Sequence, residues 1–295
     1  MVRVRGGFGC LVALVTAVLV CLAFPGLANQ STVNRSTADQ LSPRQLTQEQ
    51  REEADLFVLG NTVFILYHEL GHALIDQLGL PVLGHEEDAA DNLASIMMIP
   101  EQADPMMDEL IIAAADGWYL GNLWQQEASN VEPAWWGEHA LDMQRFYSVV
   151  CLMYGSDPAG FNDLAESVRL PPDRRTTCPN DYAQARAGWT RLLAPHMNPV
   201  ESRSARDSRI SLEFEAPDPA HGYVSSLLHE SGLINAIARD IGTSFKLPGD
   251  LTVRFRNCGG NVANAFYDKA GPAVTLCYEL VSFYNELILS DIARR

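Results

Sequence analysis

The sequence predicts an α+β fold, mostly helical, with a small sheet beside one histidine-bearing helix. Three observations predict it. Residues 51–200 read as mostly helical, with apolar residues at mixed three- and four-residue spacing. Residues 210–290 contain strictly alternating runs, ISLEFE at 210–215 and LTVRFR at 251–256, which read as half-buried strands. Between Val63 and Leu78 a run without proline carries His68-Glu69-Leu70-Gly71-His72, and Gly79 and Pro81 then give a stop signal.

The elements follow in order. Residues 1–28 carry Arg3 and Arg5, an apolar stretch from Leu11 to Phe24, and Gly26-Leu27-Ala28. This pattern predicts an export signal peptide cleaved after Ala28, and hence a secreted or periplasmic chain without a stable membrane span. Residues 29–50 are polar and predict a flexible spacer with a helical start near Thr47. Residues 51–200 form the helical part, with helices expected over 86–98, 106–124 and 139–154. Trp118, Tyr119, Trp124, Trp135 and Trp136 either pack its core or line a cleft. Residues 201–295 form an α/β part completing the same domain, with a helix over 224–245 and a hairpin over 264–279.

Charge and cysteine narrow the setting. The formal net charge is −16, and loss of Arg3 and Arg5 with the signal takes it to about −18, two positive charges fewer. Nucleic acid is an improbable partner for so acidic a chain. Its acidity suits solubility outside the cell, or a preference for basic peptides. Cys10 and Cys21 leave with the signal, so Cys151, Cys178, Cys258 and Cys277 remain. An even number in an exported chain predicts disulfides. The pairings Cys151–Cys178 and Cys258–Cys277 are favoured because each falls within one block of sequence.

The chemistry lies in residues 68–91. On a helix, residues four apart share a face, so His68 and His72 can aim both imidazoles at one Zn2+ ion. A catalytic zinc takes three protein ligands and leaves its fourth position to water. Glu87 is the expected third ligand, with Glu86 and His85 as alternatives. Asp91, four residues on, is expected to accept a hydrogen bond from the free ring nitrogen of a ligating histidine. Glu69 is the expected general base for peptide-bond hydrolysis. A further group must stabilise the oxyanion, and His139, Arg145, Tyr147, Tyr267 and Tyr278 are candidates, with His139 and Tyr147 put forward as catalytic. His229-Glu230 lacks a second histidine and reads as helix surface.

These residues resemble the thermolysin-like zincins, which take Glu as third ligand, and Glu87-Asp88-Ala89-Ala90-Asp91 is similar to the E-x-x-A-D run of the HtpX-type metallopeptidases. A fuller resemblance is to a family of bacterial exported or lipid-anchored metallopeptidases. It is carried by YHELGHALID with LPVLGHEEDAAD, by HALDMQRFYSVVCLMYG, and by NAFYD with LCYEL. It covers nearly all of residues 51–295 except a linker at 196–208, and implies a zincin-like fold and peptidase activity on a peptide or protein, without naming a substrate. In that family the block with NAFYD and LCYEL precedes the zinc helix. Here it follows, so the chain reads as circularly permuted, with its new joint at 198–208. Two other readings stand beside the peptidase: a non-catalytic binding module that keeps the fold, and a zinc amidase acting on cell-wall material.

Overall fold

The computed structural model describes residues 46–295 apart from 102–103, 129–134 and 261. The expected signal peptide lies outside the described residues. The described chain is a mostly helical α+β fold with ten α-helices and a four-stranded mixed sheet. No helix among the described residues is long and apolar enough to cross a membrane.

Helix α1 (Gln48–Leu78) is the axis of the fold. It begins where a capping box closes: Gln50 N–H donates to Thr47 Oγ1 at 3.2 Å, and Thr47 N–H donates to Gln50 Oε1 at 3.0 Å. It ends at Gly79, whose left-handed φ of 60° suits glycine and lets Leu80 N–H reach Ile75 O. Its 31 residues span about 46 Å. The second half is buried almost all round, because α1 packs against α2 (Glu86–Met98), α3 (Pro105–Ala128), the sheet and the C-terminal helix.

Backbone contact fixes the α1–α3 crossing. A Cβ on Gly60 would lie 2.4 Å from Leu110 O, and one on Gly117 would overlap the Asn61 side chain. Asn61 Nδ2 donates to Phe57 O and to Ala113 O at 2.8 and 3.0 Å, so this buried amide bonds both helices. Against α2 the contact is Gly71 over Ala90, where an added Cβ would meet Ala90 Cα at 3.4 Å. Small residues on both helices therefore bring Glu87 and Asp91 close to the histidines.

Helices α4 (Asp142–Ser156), α5 (Asn162–Ser167) and α6 (Pro172–Leu193) complete the helical layer. Cys151–Cys178 joins α4 to α6, as expected. Trp189 Nε1 donates to Asn92 Oδ1 at 2.8 Å and ties α6 to α2. A short α7 (Val200–Arg203) then leads to the sheet.

Strands β1 (Ile210–Phe214), β2 (Leu251–Arg256), β3 (Ala265–Asp268) and β4 (Ala273–Cys277) lie in the order β1-β2-β4-β3. The β1–β2 and β2–β4 pairs are parallel, and β3–β4 is the expected antiparallel hairpin. Cys258–Cys277 staples the loop after β2 to the end of β4. Two sequence expectations need correction. The helix over 224–245 is two helices, α8 (Gly222–Ser231) and α9 (Leu233–Ser244), because Gly232 takes a left-handed φ of 67°. The strand expected to run to residue 279 stops at Cys277, and α10 (Tyr278–Arg294) starts there. In the sheet β4 is interior and paired on both sides, and β3 ends the sheet next to α1.

Candidate metal centre

His68 and His72 stand on adjacent turns of α1, and their Nε2 atoms are 3.1 Å apart. Both point at one carboxylate oxygen of α2: Glu87 Oε2 lies 3.2 Å from His68 Nε2 and 3.4 Å from His72 Nε2. The other ring nitrogens are held by carboxylates. His68 Nδ1 lies 2.8 Å from Asp91 Oδ1, and His72 Nδ1 lies 2.8 Å from Glu86 Oε1. Each imidazole is thus oriented so that Nε2 faces the same small space.

Asp91 is itself clamped. Arg145 of α4 donates from Nε to Asp91 Oδ2 at 2.6 Å and from its terminal nitrogen to Oδ1. Its guanidinium lies 3.5 Å over the Trp118 ring. Burial works against the Asp91 charge, but the His68 hydrogen bond and the Arg145 charge overcome it and hold the carboxyl below its ordinary range. For Glu87 burial again opposes the charge, and bonds to His139, His68 and His72 win by a wide margin. Burial would lower His68, but Asp91 and Glu87 push it up to about 9.

His68, Glu87 and His139 are a potential metal-holding group, with ligand atoms all within 4.8 Å of one another. The donor chemistry fits a zinc-type cation: imidazole nitrogens gathered on one ionised carboxylate, each oriented from behind. Without a metal these nitrogens attract protons, so a metal must displace protons to enter. Glu69 is next to His68 and only 6% exposed. Burial pushes its carboxyl up, and His68 and His72 oppose that shift.

The oxyanion candidates separate. His139, between α3 and α4, reaches the donors, with Nε2 2.9 Å from Glu87 Oε2. Arg145 lies behind Asp91. Tyr147 does not join the constellation: its hydroxyl donates to Val168 O at 3.2 Å and its ring packs on Phe146. Tyr278 is buried and donates to Glu215 O, while Tyr267 on β3 donates to Asp76 of α1 at 2.9 Å. Among the alternative ligands, Glu86 holds the far side of His72, and His85 is exposed at the start of α2 without a capping bond. His229 is exposed on α8 with its ring against Phe214. The second potential group, Cys258 and Cys277 with Glu279, is no metal site, because its cysteines form a disulfide.

The clamp of Arg145 on Asp91 and the seat of Glu86 behind His72 escape sequence reasoning, which lists both residues for other roles. Only the adjacency of Glu86 to Glu87 hints at a shared task.

Two helix-borne histidines, a carboxylate of α2 between them and a buried acid next to the first histidine are groups able to hold a metal ion. The chain belongs to the DUF4344 family, described as "Putative metallopeptidase", whose model matches residues 31–193 and 214–293. Comparison with curated proteins and with solved structures gives no match.

Proposed function

We propose that this chain is an exported zinc metallopeptidase in which His68, His72 and Glu87 hold the metal and Glu69 is the general base. The observation that carries the reading is the convergence of His68 Nε2 and His72 Nε2 on Glu87 Oε2, with Glu69 buried beside them. Zinc in such a site lowers the pKa of water to about 7 and polarises a carbonyl. Glu69 takes the proton of the attacking water and passes it to the leaving amine. Its buried position favours proton uptake during the reaction. Asp91, backed by Arg145, and Glu86 keep the two imidazoles in their ligating tautomers.

His139 is assigned the oxyanion role, since of the five candidates it comes closest to the donors. The substrate is a peptide or protein. Its backbone adds as a strand along β3, which ends the sheet beside α1. Export is supported by the two disulfides, which suit an oxidising compartment.

Glu69→Gln removes the base and no ligand. The variant is expected to keep its zinc and lose turnover on a casein-type peptide substrate by at least about 100-fold. Turnover retained together with zinc sinks the assignment of Glu69.

A further inference from the structure

The third imidazole at Glu87 has a role that the reading above does not contain. His139 Nε2 is 2.9 Å from Glu87 Oε2, against 3.2 Å for His68 and 3.4 Å for His72. In a tetrahedral site with bonds of about 2.0–2.1 Å, donor atoms lie about 3.3 Å apart. His139 therefore sits at donor distance from Glu87, in the group of His68, Glu87 and His139 whose ligand atoms fall within 4.8 Å of one another, and His72 meets that group through His68 and Glu87 at 3.1 and 3.4 Å. Four protein donors close a zinc site, whereas a catalytic one keeps a position open.

His139 also differs from its companions. His68 and His72 are carried by the buried helix α1, and each has a carboxylate on its second ring nitrogen. The His139 side chain is 55% exposed, and among the described residues its one ion-pair partner is Glu87, met by Nε2. It comes from the irregular stretch before α4, where rotation about its own side-chain bonds is enough to withdraw it.

We propose that His139 is a fourth, releasable zinc ligand that closes the site at rest, so that the chain as folded is latent. The proposal rests on the zinc reading above. Release exchanges one neutral donor, an imidazole nitrogen, for one water, and no proton moves. The freed imidazole stays beside the cleft, where it can take the oxyanion role.

The test is coordination, read without activity. The mature chain and His139→Ala are loaded with Co2+ or Zn2+. Imidazole ligands are counted by X-ray absorption, and acetohydroxamate is titrated against the Co2+ absorption spectrum. The expected result is three imidazoles in the wild type and two in the variant. Hydroxamate should bind the variant about tenfold tighter or more, because a mostly closed site lowers apparent affinity by its open fraction. Two imidazoles in both proteins, or equal hydroxamate affinity, overturns the fourth ligand and leaves the three-ligand site intact. A folded wild type that takes up neither metal overturns the zinc reading as well.

Discussion

At Glu87 Oε2 three imidazoles meet one carboxylate oxygen, and the residues behind them decide how firmly they are held. Asp91 serves two partners: it accepts from Arg145 on one side and meets His68 Nδ1 on the other. Removing an outer-shell partner of this kind typically weakens metal binding about 10–100-fold. Arg145→Met keeps much of the side-chain bulk over Trp118 and removes the clamp. It is expected to lower zinc affinity by that factor in a chelator competition, with the fold retained by circular dichroism. Unchanged affinity would make Arg145 a packing residue only. His68, His72, Glu87 and Asp91 were legible in the sequence because i,i+4 spacing on a helix is a geometric statement. The clamp was not, since Arg145 lies 54 positions from Asp91 and nothing local ties them.

Among the elements, the loop after β2 shows how local chemistry positions a helix. Glu279, in the first turn of α10, accepts from Cys258 N–H and Gly259 N–H at 2.7–3.0 Å, beside the Cys258–Cys277 staple. Burial would raise its carboxyl, but these backbone bonds win and its folded pKa is lowered from 4.5. A depressed carboxylate contributes stability that is present above its unfolded pKa and lost as pH falls through the folded value. Glu279→Gln should therefore unfold at lower urea than wild type at pH 7, with the gap closing below about pH 4. A gap independent of pH would assign the effect to shape rather than charge. The helix and strand types of this region were legible from their periods. The break at Gly232 was not, because the apolar pattern runs through it and only the left-handed backbone there shows two helices. Nor was the interior place of β4, since strand order is set by pairing between distant segments.

For the whole molecule, the last helix returns to the first. Arg295 pairs with Glu53 at 2.6 Å, so the end of α10 stands beside the start of α1. The permuted order of blocks expected from the sequence requires such proximity of the points it would join. A chain reopened between 200 and 208, with residue 295 linked to 48 by a short Gly/Ser segment, is expected to fold and to bind metal as the wild type does. An insoluble or metal-free product would count against the proposal. The order of blocks is visible in sequence, but the meeting of Glu53 and Arg295, 242 positions apart, is a property of the fold.

The most direct test of the account is zinc content after dialysis against a weak chelator, for the mature wild type beside Glu87→Ala. About one zinc per chain is expected in the wild type and a clear loss in the variant, because Glu87 Oε2 is the oxygen the imidazoles share. A folded wild type without zinc, or a variant that keeps its full complement, would contradict it.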